Sequence, residues 1–527
     1  MTSGAEGNVR SVRAYVRSRG RAPRGLLDRY VSGFGLAMLL AVLGRPVSTV
    51  LTGLAGPVDP ARMSAGAALV ALALAGFLFA ARTAGPVLLS PADASWLLLS
   101  PLNRRRLLAR TGRVLIMVAV VAGAALGLGL LAVLGAPDQL VWRLLGALVL
   151  GVSAAVGGMA LAVLGQASQS WQFWLTAAMV ALLVLAVVAV SGQARTVLAV
   201  AASAPLTTVA ASASTAAVVS ALLVRRAWAS LDRIPTRILL ASSTRAGHVA
   251  DAAVGLDPGA LTWIAEENHW RARTLRSRRW PSLPAPLALA WQDWRRLARR
   301  PGRLAAMSGA AGLPVVLAQA GAGPAASGAV VLAGALAVAA AGVSGARWDR
   351  DNPALSRIVG VGHRPALAAR ALLPMVLSGA WATLALAGLS VSASLALAGL
   401  GAWASVGTAV PGAWSVGTAG LSAFSGGWWL FGPLVAPALA AGALRMAGRG
   451  PVDHSMPVID TPGGAIPTGP LLWAATGADL AVLGCLPAIA ALLSPPGALG
   501  WFLAAQGVFG ALTLVGYAWR RGAGQAT

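Results

Sequence analysis

The chain has 527 residues and no lysine; every one of its basic side chains is an arginine. A nucleotide-binding P-loop needs a lysine to reach the phosphates, so no standard P-loop can be built from this sequence. The lone cysteine, Cys485, excludes an internal disulfide and any cysteine cluster for zinc or iron–sulfur. With Leu, Val and Ala around it, Cys485 reads as a small buried or lipid-facing hydrophobe. Charge is scarce as well: 11% of residues are charged, whereas a soluble domain carries roughly 25%. That leaves too little polar surface to cover soluble domains, which excludes a soluble enzyme. The acids are the scarcer sign, 16 against 41 arginines, for a formal net charge of +25.

What is abundant is apolar sequence, 57% of the chain, gathered in blocks of roughly 17 to 25 residues, the length a helix needs to cross the hydrocarbon core. The blocks are rich in Ala, Leu, Val and Gly without alternating charge, so a barrel of polar-in, apolar-out strands is a poor match. The prediction is an all-α polytopic membrane protein. Arginines crowd between alternate blocks, the positive-inside pattern, so the charge marks the cytoplasmic side and not a nucleic-acid interface. For most of these arginines it is enough that they hold the loops inside and meet anionic lipid headgroups.

Residues 1–30 form a basic leader, with Arg10, Arg13, Arg17, Arg19, Arg21 and Arg24 ahead of the first span. Val9, Val12 and Val16 share a side at helical spacing, as in a short interfacial helix. No signal-peptide pattern is present, so the first span is expected to direct insertion. Spans are predicted at 31–54 (interrupted at Arg45-Pro46), 64–81, 114–134, 141–164, 173–190 and 196–224, a first six-helix half over 31–224. A basic cytoplasmic linker follows over 225–303. The second half, 304–519, has spans at 304–319, 326–345 and 371–389, one over 428–444, then 471–493 and 499–519, with a cytoplasmic tail at 520–527. Between them 390–427 is rich in Gly, Ala, Ser and Trp and locally duplicated, GAWASVGTA being echoed by GAWSVGTA. Arg445, Arg449, Arg520 and Arg521 all stay inside if 390–427 is an outer loop, a re-entrant piece or a hairpin crossing twice. The total is about twelve helices with both termini in the cytoplasm.

The halves are in register at an offset of 260: Arg104, Leu107, Ala109 and Arg110 meet Arg364, Leu367, Ala369 and Arg370. Each set precedes a span at an equivalent point. Six spans between equivalent points give both halves the same orientation, related by an axis along the membrane normal.

Few residues invite a catalytic role. Glu266 and His269 in AEENHW share a helix face, but a metal site needs more converging ligands, and the sequence has no HExxH. Asp453, His454 and Asp460 lie in a Pro- and Gly-rich loop. The acids sit almost entirely in loops; Asp138 is in a turn, and Asp479, near the start of a span, either lines a path or meets headgroups. Intramembrane acids are the usual mark of ion-coupled carriers, so their scarcity favours an energy source outside this polypeptide. The most informative surface segment is PLALAWQDWRRLARRPGRL, in which Leu287, Trp291, Trp294 and Leu297 form an apolar stripe beside Arg295, Arg296, Arg299 and Arg300. It reads either as an interfacial anchor or as an anchor that also docks a cytoplasmic partner. The same choice applies to Trp96, Arg104, Arg105, Arg106 and Arg110, and to Arg357, Arg364 and Arg370.

With the loops LLLSPLNRRRLLARTGR, DNPALSRIVGVGHRPALAAR and RGPVDHSMPVIDTPGGAIPTGP, this segment gives a chain that resembles permease subunits of bacterial ABC-type exporters, a large group found in actinobacteria. The resemblance implies a two-half permease in the bacterial plasma membrane, exporting an unidentified substrate. Its partners would be separately encoded cytoplasmic P-loop ATPase subunits, which alone would hold ATP and Mg. An ion-coupled secondary transporter and a non-catalytic membrane scaffold are the alternatives.

Overall fold

A computed structural model of the chain describes residues 60–87, 104–135, 138–191, 193–244, 281–352, 360–404, 423–424, 426–450, 458–461, 464–467, 472–473, 475–494 and 499–523. The larger of two compact units, Pro57–Val458 with Pro467–Thr527, contains every helix named below. The middle of a two-stranded hairpin, β1 (Val458–Thr461) with β2 (Gly464–Pro467), belongs to the other unit.

Leu, Val and Ala runs propagate as helix because hydrocarbon offers no partner for an open N–H or C=O. They form α1 (Pro60–Ala84), α2 (Arg104–Leu134), α3 (Leu140–Ala167), α4 (Gln169–Val190), α5 (Arg195–Ala202) and α6 (Leu206–Ser230). There follow α7 (Ala285–Ala298), α8 (Pro301–Ala310), α9 (Leu313–Gln319), α10 (Pro324–Gly342), α11 (Ser344–Asp351) and α12 (His363–Ala404). The last four are α13 (Phe431–Ala447), α14 (Ala478–Gly484), α15 (Leu486–Leu493) and α16 (Leu499–Ala523). Among the described residues nine helices are long and apolar enough to cross a membrane: α1, α2, α3, α4, α6, α10, α12, α13 and α16. Their outward faces carry Val121, Val187, Val376 and Leu512, all exposed, a surface that water would penalise and lipid would cover.

Three segments expected as single spans are each two pieces. The span at 196–224 is α5 and α6, parted before Pro205; 304–319 is α8 and α9, parted at Ala311–Gly312; 471–493 contains α14 and α15, parted at Cys485. Pro205, Pro314 and Pro487 stand at or just after the breaks, where a missing N–H and the ring's steric demand favour starting a new helix. The expected first span, 31–54, lies outside the described residues. The expected outer segment 390–427 begins as helix, since α12 continues to Ala404; 405–422 and 425 lie outside the described residues.

Within the larger unit α2 packs on α3, α3 on α6, and α1 on α2, α3 and α4. Likewise α12 packs on α13, α13 on α16 and α14, and α10 on α12 and α13. The crossings are close because small residues meet there. A Cβ on Gly127 would lie 2.6 Å from the Ala147 carbonyl oxygen, and one on Gly432 would lie 2.5 Å from the Thr383 nitrogen. Such contact between backbones is the small-residue mode of helix association in membranes. One of the links between the two groups of helices is α1 with α9, where Val316 packs among Ala65, Ala68 and Ala71.

The break between α14 and α15 is closed from another helix. Gln506 of α16 is fully buried; its Nε2 donates to the Gly484 carbonyl at 2.8 Å, and its Oε1 accepts from the Ala488 N–H at 3.1 Å. In a continuous helix those two backbone groups would bond to each other, so the amide of Gln506 is inserted into one opened rung. Gln506→Leu should leave both groups open, at about 1–3 kcal/mol each. The detergent-solubilised variant should melt several degrees below wild type, while loss of the exposed Thr215 hydroxyl, which bonds to the Ala211 carbonyl of its own helix, should change little. An unshifted transition in the Leu variant would disprove the insertion.

Candidate functional site

The helix α7 begins after Pro284, with Pro286 in its first turn, and ends before Pro301, which starts α8. Its buried residues are Leu289, Asp293 and Leu297, four apart and therefore on one face. The stripe expected from sequence differs: Leu287 and Trp294 are exposed, Trp294 by 40%, and only Leu297 of the four is buried, with Trp291 half-buried. An acid at the centre of a buried face is costly unless a cation meets it.

That cation is Arg370, in the second turn of α12. Its side chain is 5% exposed and that of Asp293 1%, with Nη1 of the arginine 2.8 Å from Oδ1 of the aspartate. The contact is an ion pair without the alignment of a hydrogen bond. On its other edge Arg370 is held by Asp349 of α11: Nε donates to Oδ2 and Nη2 to Oδ1, each at 2.9 Å, the bidentate fork that guanidinium and carboxylate geometries favour. Nη1 also donates to the Leu289 carbonyl at 3.3 Å. Gly345 packs directly over this contact; a Cβ there would collide with both Arg370 Nη1 and Asp293 Oδ1. The Arg296 guanidinium lies 5.6 Å from the centre of the Trp348 ring, a further tie between α7 and α11. Burial pushes the Asp293 carboxyl above the ordinary carboxylate range, against the opposing pull of the Arg370 guanidinium.

The triad is suited to holding three helix ends together and not to proton transfer or metal binding, since both carboxylates face the same guanidinium. Among the described residues no group of three or more His, Cys, Asp or Glu could hold a metal ion. Arg370 was expected on an exposed docking surface; it is buried, because two carboxylates from α7 and α11 enclose it. Arg364, one of the exposed set, lies 5.1 Å from the centre of the Trp519 ring near the end of α16. Arg105 pairs with Asp232 and donates to the Ala229 carbonyl at 3.1 Å, joining the start of α2 to the end of α6. Asp479 accepts from the N–H of Gly477 and of Leu480, each at 2.7 Å, and lies 3.2 Å from Arg445 Nη2; it caps α14 and pairs with a basic helix end, a structural role. Arg295 is half-buried on α7. Arg104, Arg106 and Arg110 lie in the first turns of α2 by backbone, with side chains outside the described residues. Trp96, Arg357, Glu266, His269, Asp453 and His454 lie outside the described residues, as does the side chain of Asp460.

Sequence reasoning passed over Asp293, Asp349 and Arg143. Arg143 of α3 is buried; it pairs with Asp138 at 2.8 Å and donates to the Ala202 and Ala204 carbonyls at 3.1 and 3.2 Å, satisfying the end of α5. For Asp293 a signal exists, an acid spaced at helical intervals between Leu289 and Leu297.

A polytopic bundle of long apolar helices with an exposed apolar belt defines an α-helical membrane protein. Residues 58–421 match the family described as "Family of unknown function (DUF6297)", and the chain belongs to it. No curated protein and no solved structure matches the chain.

Breaking the triad should be asymmetric. Arg370→Gln leaves two carboxylates facing each other, one fully buried, and should cost about 3–5 kcal/mol. Asp293→Asn removes the charge that burial already disfavours and leaves the Asp349 fork intact, so it should cost clearly less. Thermal unfolding of both variants in the same detergent checks the order, and equal losses would refute it.

Proposed function

We propose that this chain is the membrane-spanning permease component of an ATP-driven exporter, with both termini in the cytoplasm of a bacterium and ATP and Mg held by separately encoded P-loop ATPase subunits. The observation that carries the proposal is the mounting of α7. An amphipathic helix serving only as an interfacial anchor needs an apolar face and basic flanks. Here α7 is bolted to α11 and α12 through Asp293, Arg370 and Asp349, while Trp294 and Arg299 remain exposed. A soluble partner pressing on that face would move the start of α12 with it.

Two tandem halves of the same orientation, six helices each and twelve in all, form the architecture we favour. Support comes from the offset of 260, which carries Arg104 at the start of α2 onto Arg364 at the start of α12. It also carries Gly123, packed on the Val152 backbone of α3, onto Thr383, packed on Gly432 of α13. The neighbours match as well: α2 with α3 and α3 with α6 correspond to α12 with α13 and α13 with α16. Parallel repeats of this kind are a common transporter plan and place an interface between halves that can open to either side.

The tagged full chain, extracted from its native membrane in mild detergent, should bring down a P-loop ATPase in stoichiometric amount. Trp294→Ala combined with Arg299→Glu should reduce that recovery roughly tenfold or more, as loss of an aromatic anchor and a rim charge does at other interfaces, with no change in the yield of inserted protein. Recovery of the chain alone, in an intact oligomeric state, would overturn the proposal and favour a self-contained carrier or scaffold.

A further inference from the structure

The last turns of α6 carry Arg225 and Arg226, and Arg233 closes the 3-10 turn that follows, Leu231–Arg233. Together with Leu164, Ser168 and Trp171 at the junction of α3 and α4, they border a cleft of about 610 Å³. The one acid in this stretch, Asp232, is taken by Arg105 of α2. Among the described residues no carboxylate pairs with Arg225, Arg226 or Arg233, all three of which are exposed. Arg226 lies 5.4 Å from the centre of the Trp171 ring, which orients one guanidinium at the mouth. Leu164, Ala167, Leu222 and Ala229 form an apolar wall, with Ser230 beside them. On that side the cleft adjoins the exposed apolar surface of α4 and α6, where Phe173, Trp174, Val218 and Val219 are uncovered.

We propose that this cleft binds the headgroup of an anionic phospholipid, its phosphate held by Arg225, Arg226 and Arg233 and its acyl chains lying along α4 and α6. Three cations on a concave site, with no carboxylate paired to them among the described residues, call for an anion, and planar guanidinium forks match phosphate oxygens. A soluble phosphate would use the arginines but has no use for the apolar wall that adjoins the exposed belt. A lipid uses both, and Trp171 stands where aromatic side chains favour the boundary between headgroup and chain. The site is independent of the ATPase proposal; it is made by the first group of helices, whereas α7 and the buried triad belong to the second.

The test is native mass spectrometry of the full chain, released from detergent and titrated with phosphatidylglycerol or phosphatidylcholine. Wild type should retain phosphatidylglycerol preferentially. Each basic residue near an anionic headgroup contributes about a factor of five, so Arg225→Gln with Arg226→Gln and Arg233→Gln should weaken retention roughly a hundredfold. Arg350→Gln, an exposed arginine on α11, should leave it unchanged. Arg226→Gln alone should lose about fivefold, which keeps the site measurable if the triple variant unfolds. Equal retention of phosphatidylglycerol by wild type, the triple variant and Arg226→Gln would overturn the proposal. Displacement of the lipid by millimolar inorganic phosphate at constant ionic strength would also overturn it, assigning the arginines to a soluble phosphate instead.

Discussion

A guanidinium cannot be placed inside a helical bundle unless something meets its charge and its donors, and the architecture around α7, α11 and α12 follows from meeting both at Arg370. The fork to Asp349 satisfies one edge, and the ion pair with Asp293 and the bond to the Leu289 carbonyl satisfy the other. Each partner comes from a different helix, so none of the three can shift without exposing a charge to an apolar surrounding. Gly345 is a condition of the arrangement, because any side chain there would occupy the space in which Arg370 and Asp293 meet. The result is that α7, which by composition could lie loosely at a membrane surface, has one position.

The same accounting explains two of the other buried polar residues, Arg143 and Gln506, and the half-buried Gln166. Helices broken in an apolar medium release backbone donors and acceptors, and at three such places a polar side chain is aimed at them. Gln506 fills the gap between α14 and α15, Arg143 takes the carbonyls at the end of α5, and Gln166 accepts from the Val87 N–H at 3.0 Å just beyond α1. These side chains complete the backbone and do not line a charged route through the bundle. On the proposed reading, in which the energy comes from elsewhere, polar groups used in this way are what is expected, since a proton- or sodium-coupled path is usually built from intramembrane acids.

The long helices were legible because an apolar block of membrane-spanning length has few other ways to satisfy its backbone. Their breaks were not, although Pro205, Pro314 and Pro487 mark them: a proline inside an apolar run is compatible with a kink as well as a stop, and what decides is whether another helix can supply the missing bonds. The amphipathic character of α7 was plain in its sequence, but the face it packs inward, Leu289, Asp293 and Leu297, shares only Leu297 with the apolar stripe. The exposure of Trp294 fits the aromatic preference for the boundary, and Asp293 was passed over because its partner lies on a helix that the sequence places far away. The register between halves pointed to Arg370 and gave it an equivalent in Arg110, but register alone does not tell a buried arginine from an exposed one.

Locking α7 to the start of α12 has a mechanical consequence at the far end of that helix. α12 runs from His363 to Ala404 with Pro374 inside it and crosses α13 where Gly432 rests on the backbone of Thr383. A contact between two backbones has no flexible side chain to absorb a displacement, so a tilt imposed near Arg370 passes through the crossing as a movement of α12 against α13. With side chains interposed, part of the motion would be lost in rotamer changes. The triad and the close crossing with α13 are joined by a stretch of α12 that contains Pro374, whose ring has no N–H to offer the Arg370 carbonyl, so the arm they form has one built-in point of bending. On the proposed reading the energy of ATP binding, delivered to the exposed side of α7, reaches the middle of the bundle along that arm.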